Sequence, residues 1–263
     1  MNRITPDVVR KAKGQGLTAL TAYDYPTARL LDEAGIEVLL VGDSLGMVVL
    51  GLPDTTGVQL EDILHHLRAV SRGVQRALLV ADLPIDTYRD PEEAVANATK
   101  LISAGAHAVK LEGGTTRVDQ IKAIAGAGVP VMGHIGMLPQ RIREEGGYRI
   151  KGKTAAESQR LVEDAEAVQN AGAFAVVLEL VAPNVADEIT RSIQIPTIGI
   201  GSGKDCDGQI LVFHDLVGYS PWFIPKHVHP EAMVGNAISK AAAAFIAMVK
   251  GTSGNERERA AAP

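Results

Sequence analysis

Four times in this chain a helical pattern ends in Ala-Gly and an apolar run begins at once: at Gly35, Gly105, Gly128 and Gly172. Glycine closes a helix because it enters the left-handed conformation that a last turn needs. Short apolar runs bounded by turn residues read as buried strands. Such runs cover residues 17–22, 36–41, 77–81, 106–111, 129–133, 173–178, 195–200 and 209–213. Helical patterns fall between them at 26–34, 60–70, 90–104, 121–127, 154–171 and 185–192, with a last one at 231–249. Two starts are well marked: Asp90-Pro91 followed by Glu93, and Thr154 followed by Glu157. Residues 47–58 and 136–152 read as loops, the second rich in Gly and Arg and placed to close over a site. Strands apolar throughout, alternating with helices, predict a parallel sheet covered on both faces. Eight units in 263 residues predict an α/β fold of the (β/α)8 barrel type. A doubly wound open sheet is the alternative, and the absence of a dinucleotide fingerprint after the first two strands counts against it.

Composition bounds the partners. The chain is 46% hydrophobic with a net charge of −5, and it has no Lys/Arg cluster, which argues against nucleic acid. No apolar run approaches the roughly 18 residues of a membrane span. Residues 1–16 lack an apolar signal core, and a single cysteine, Cys206, suits a reducing cytoplasm. The whole chain, 1–263, is read as one barrel domain, with residues 251–263 a disordered tail.

The chemistry lies at the strand ends. The second strand ends in Asp43 and Ser44, the third in Asp82, and the fourth carries Lys110 and Glu112. The fifth ends in His134 and the sixth in Glu179. In a barrel these gather at one mouth, where sites form. Four carboxylates there call for a cation, and oxygen donors suit Mg²⁺ better than Zn²⁺. Lys110 and Glu112 are two apart on a strand and point the same way, so Lys110 stays protonated and holds an anion. A Schiff-base role for Lys110 is the alternative. Glu179 follows an apolar strand, which suits a general base. His134 is either a donor to substrate or a structural histidine. The pair His227/His229, the helical pair His65-His66, Cys206 and the loop 201–205 are given no site role.

Several stretches resemble one family. They are Leu20-Thr21-Ala22-Tyr23-Asp24-Tyr25-Pro26, Val41-Gly42-Asp43-Ser44-Leu45-Gly46, Leu64-His65-His66 and Ala81-Asp82-Leu83-Pro84. They continue with Val109-Lys110-Leu111-Glu112-Gly113-Gly114, Gly133-His134-Ile135-Gly136 and Gly146-Gly147-Tyr148. Pro196-Thr197-Ile198-Gly199-Ile200-Gly201 and Cys206-Asp207-Gly208-Gln209 complete the set. Together they resemble the ketopantoate (3-methyl-2-oxobutanoate) hydroxymethyltransferases. The departures are Ser202, where the family usually has Ala, and the part after Lys226, which has no match.

The resemblance implies a Mg²⁺-dependent barrel of the phosphoenolpyruvate/pyruvate-type superfamily. It implies transfer of a hydroxymethyl group from 5,10-methylenetetrahydrofolate to 3-methyl-2-oxobutanoate, giving 2-dehydropantoate in pantothenate biosynthesis, by way of a Mg²⁺-stabilised enolate. Asp43 and Asp82 would bind the metal, with Glu112 completing the site directly or through water. Asp43, Ser44, Asp82 and Lys110 would contact the keto acid, and Glu179 would accept the proton. His134 is counted with the substrate-contacting residues. The partners implied are the 2-oxo acid, the folate and further copies of the chain, as a homodecamer. A Mg²⁺-dependent 2-oxo acid lyase or mutase on the same barrel, and a catalytically silent folate-binding protein, are the rival readings.

Overall fold

The computed structural model describes residues 3–220 and 223–251. It divides into two compact units, one running to Val212 and the other beginning at Phe213. In the first unit eight strands close into a barrel in sequence order. They are β1 (Leu17–Thr21), β2 (Val38–Val41), β3 (Leu78–Asp82), β4 (Ala108–Glu112), β5 (Val131–Gly136), β6 (Ala175–Glu179), β7 (Thr197–Ile200) and β8 (Gly208–Leu211). Every neighbouring pair is parallel, and β8 returns to pair with β1.

The repeated Ala-Gly does what its chemistry predicts. Gly35, Gly105, Gly128 and Gly172 have φ of 101°, 113°, 82° and 105°, a region closed to most side chains. Each turns the chain out of a helix and into the strand that follows. The two marked helix starts are also formed. The Asp90 carboxylate accepts from the Glu93 amide at 2.8 Å, and the Thr154 hydroxyl accepts from the Glu157 amide at 3.2 Å.

Side chains alternate along a strand, so one face of each strand lines the barrel. Leu78 and Val80, Ala108, Met132, and Ala175 and Val177 belong to one buried cluster inside it. Two residues further along the same faces stand Asp82, Lys110, His134 and Glu179. The barrel is therefore apolar below and charged at the carboxyl-terminal mouth, and the change takes a single step of the pleat.

Several local expectations differ from the structure. Residues 6–11 form a helix, Pro6–Lys11, capped by Thr5, whose Val9 is fully buried against the barrel core. Nothing in the periodicity of so short a segment marks it. The segment 47–58 opens with helix Leu45–Val48 and contains the 3-10 turn Thr55–Gly57, capped by Asp54. The segment 136–152 contains a 3-10 turn at Pro139–Arg141 and a helical turn at Ile142–Glu145, stopped by Gly146 at φ 70°. Strand β8 ends at Leu211 and a helical turn occupies Phe213–Leu216, since an apolar run alone does not separate a strand end from a helix start. The last helix is Val234–Gly251, so Gly251 belongs to it and not to a tail; residues 252–263 lie outside those described. No helix among the described residues is long and apolar enough to cross a membrane.

Candidate active site

Strand register brings the charged residues together. Asp82 sits opposite Lys110, Glu112 opposite His134, and Gly136 opposite Glu179. Asp43, Asp82, Lys110, Glu112 and His134 are all buried, and Glu179 is partly so.

Lys110 Nζ lies 2.6 Å from Asp82 Oδ1. The partner expected for Lys110 was its own strand neighbour, Glu112; the ion pair is instead made across the sheet. Glu112 faces His134, with Oε1 3.4 Å from Nδ1, and the other ring nitrogen, Nε2, lies 3.2 Å from Glu179 Oε2. His134 Nδ1 also lies 3.4 Å from Lys110 Nζ, so it can serve only one of two neighbours. Burial and the Lys110 charge push the imidazole down, but Glu112 and Glu179 outweigh them and hold it up at about 9. The ring is thus protonated near neutral pH and points its N–H groups at two carboxylates. Lys110 is held charged in the same way: burial opposes its charge, and Asp82, Glu112 and Asp43 together overcome that.

The two aspartates stand differently. Burial raises the Asp43 carboxyl well above its ordinary value, and the charges of Asp82 and Glu112 add to the rise. Asp82 is also raised, first by burial, with Lys110 opposing. Glu112 is lowered, because His134 and Lys110 more than offset its burial. Counted as formal charges, four carboxylates face two cations: His134 leaves one negative charge in excess between Glu112 and Glu179, and Lys110 leaves one between Asp43 and Asp82. These two are in direct contact, with the Asp43 amide donating to Asp82 Oδ2 at 3.1 Å.

The metal expectation bears on this contact. Among the described residues no three carboxylate, imidazole or thiol groups form a ready-made cage. Mg²⁺ does not need one, since it keeps several waters and takes one or two carboxylates plus substrate oxygens. Asp82 Oδ1 is held by Lys110 and Glu112 Oε1 faces His134, so the two oxygens have cationic neighbours already. A buried all-oxygen donor set whose carboxylates outnumber its cations by two fits a hard divalent ion.

Ser44 stands at the start of the helix after β2, and its Oγ lies 2.7 Å from the Tyr23 hydroxyl. Beyond Glu179 the chain turns sharply at Leu180, whose φ of 48° is unusual for a residue with a side chain. Buried Ser202 fills that turn: its Oγ donates to Leu178 O at 2.7 Å and accepts from Val181 N at 2.9 Å.

Sequence reasoning missed Gln140. It lies in the segment 136–152, is buried, and reaches the centre of the cluster. Its amide donates to Asp43 Oδ2 at 2.8 Å and to Leu83 O at 3.0 Å, and its main-chain N–H donates to Glu112 Oε2 at 3.1 Å. Arg143 and Tyr148 of the same segment reach Asp54 and Met47, so the segment crosses the mouth towards β2. Both its ends are tied beside Glu179: Met137 N donates to Glu179 O, and Lys151 N donates to Leu180 O. Gly136 permits the first tie. Its φ is 99°, and a Cβ there would come within 2.3 Å of Glu179 O.

The chain resembles known proteins over most of its length. The family model described as ketopantoate hydroxymethyltransferase matches residues 3–253. A 3-methyl-2-oxobutanoate hydroxymethyltransferase from Dehalococcoides mccartyi (strain CBDB1) is 51% identical over 241 residues, covering 91% of this chain and 86% of that protein. One from Pyrobaculum islandicum is 52% identical over 234 residues, covering 87% and 90%. Among solved structures, phosphonopyruvate hydrolase in complex with oxalate and Mg²⁺ superimposes with a TM-score of 0.63 at 16% identity, covering 100% of this chain and 92% of that one. The 2,3-dimethylmalate lyase of the PEP mutase/isocitrate lyase superfamily gives 0.62 at 18% identity, covering 95% and 89%. At such identities the solved structures speak for the barrel alone, whereas the sequence relatives speak for descent. The chain belongs to the ketopantoate hydroxymethyltransferase family.

Proposed function

We propose that this protein transfers a hydroxymethyl group from 5,10-methylenetetrahydrofolate to 3-methyl-2-oxobutanoate, giving 2-dehydropantoate. The observation that carries the reading is the line Glu112–His134–Glu179 beside the pair Asp82–Lys110, all at one barrel mouth in a chain of this family. Asp43 and Asp82 would hold Mg²⁺, with Glu112 completing the site. When bound, the ion supplies Lewis-acid charge to the oxygens of the 2-oxo acid.

The rest falls to the protein's own groups. Lys110, kept charged by its carboxylate neighbours, neutralises and orients the substrate carboxylate. The Glu179 carboxylate removes the C3 proton, and the electron pair left at C3 forms the new C–C bond to the methylene carbon of the folate. Both C–N bonds of that carbon break, water supplies the hydroxyl oxygen, and tetrahydrofolate leaves with its two nitrogens protonated by the C3 proton and one proton of the water. His134, charged and buried, fixes the Glu179 carboxylate in that position. Ser44 contacts the keto acid from the end of β2.

Exchange of the C3 hydrogen for deuterium isolates the first step from the folate. Glu179→Gln is expected to bind the keto acid and to lose exchange. Retained exchange in that variant removes Glu179 from the mechanism. Full turnover after treatment with EDTA removes the metal, and turnover without folate points to a lyase or mutase.

A further inference from the structure

We propose that Gln140 is a positioning residue for the metal-binding carboxylates, a role that rests on the reading of Asp43 and Glu112 given above. Its side chain has two N–H donors and one carbonyl acceptor, and the structure uses all three. The donors meet Asp43 Oδ2 and Leu83 O, and the acceptor takes the Tyr88 hydroxyl at 2.5 Å. That pattern fixes which end of the amide is which, since a carbonyl turned toward Asp43 would set oxygen against oxygen. Its main-chain N–H meanwhile holds Glu112 Oε2. One residue thus grips two of the site's carboxylates from outside the barrel strands.

The choice of amide matters. Arginine at this position would neutralise Asp43 and compete with a cation. Glutamine holds the carboxylate by one oxygen, fixes the direction of the other, and leaves the negative charge in place. Groups that orient metal ligands in this way typically contribute 10- to 100-fold in metal affinity. Burial of Gln140 to 3% exposure keeps water from substituting for it.

The test measures binding of Mn²⁺, used as a spectroscopic substitute for Mg²⁺, by electron paramagnetic resonance and calorimetry. Gln140→Leu is expected to bind Mn²⁺ roughly 10- to 100-fold more weakly than the parent while keeping its circular dichroism. Affinity within twofold of the parent overturns the inference, and so does faster proteolysis of residues 141–150 with unchanged Mn²⁺ binding, the signature of a mere loop fastener. Should Gln140→Leu fail to fold, Tyr88→Phe frees the amide carbonyl while leaving Gln140 in place. It is expected to weaken Mn²⁺ roughly 3- to 10-fold, the worth of one hydrogen bond, and an unchanged value overturns the inference. A parent protein that binds no Mn²⁺ overturns the inference and the metal reading together. A parent that binds Mn²⁺ but transfers no hydroxymethyl group removes the proposed reaction alone, and Gln140→Leu still decides the inference.

Discussion

Ser202→Ala removes one oxygen from the turn that follows Glu179. That oxygen donates to Leu178 O at 2.7 Å and accepts from Val181 N at 2.9 Å, with Ser202 only 1% exposed. Two hydrogen bonds at about 1 kcal/mol each set one part of the cost. Leaving the Val181 N–H unpaired in the interior costs about 1–3 kcal/mol, and overlaps with the first part. The space vacated by one hydroxyl is smaller than a water, so no solvent molecule makes up the loss. A destabilisation of about 2–3 kcal/mol is expected, or a fall in melting temperature of roughly 4–10 °C for a chain of this size. Urea titration and thermal unfolding by circular dichroism read it, and the denaturant slope should be unchanged. Because the turn also sets Glu179, kcat should fall roughly 10-fold, a fraction of what a 1 Å misplacement costs, with the keto-acid KM little changed. A stability change under about 0.5 kcal/mol, the range of ordinary surface substitutions, would refute the reasoning. The result bears on more than one residue, because alanine is the family's usual occupant in the resemblance drawn from sequence.

Asp207, at the opposite end of the barrel, accepts from the amides of Gly14 and Thr197 and from Lys13 Nζ at 2.9 Å. Burial opposes its charge, but those donors hold its carboxyl below the ordinary value. Its contribution to stability is therefore present above the unfolded carboxylate range and is lost as pH falls through the lower folded value. Asp207→Asn should lose about 2 kcal/mol at neutral pH and flatten the acid limb of the stability curve; an unchanged acid midpoint speaks against this. Gly136→Ala places a methyl group against Glu179 O at a φ of 99°. It should cost about 2 kcal/mol or more and lower C3 exchange, while parental exchange would show that the tie to Glu179 is dispensable.

What the sequence disclosed and what it withheld divide along one line. Asp43, Asp82, Lys110, Glu112, His134 and Glu179 were legible because a buried strand that ends in a polar group announces itself by pattern, and a barrel collects such ends. The partner of Lys110 was not, because Asp82 is a neighbour only through sheet register, which a single strand does not encode. Gln140 sits after Leu138-Pro139 in a segment whose local residues signal a turn and nothing about its destination. Ser202 is a visible departure from the family, but its hydrogen bonds depend on the left-handed Leu180, which lies a helix and a strand earlier in the chain, at the end of the neighbouring strand. The N-terminal helix was missed since six residues give periodicity too little length.

The segment 137–151 hangs from neighbouring points, Glu179 O and Leu180 O. Its ends are already together, so added length in the middle costs closure entropy only logarithmically, about 0.6 kcal/mol per doubling. Residues inserted between Glu145 and Tyr148 should therefore be absorbed, whereas a single residue added next to Met137 or Lys151 should be felt at Glu179. Anyone grafting this sling from one barrel to another would have to carry its two hooks along with it.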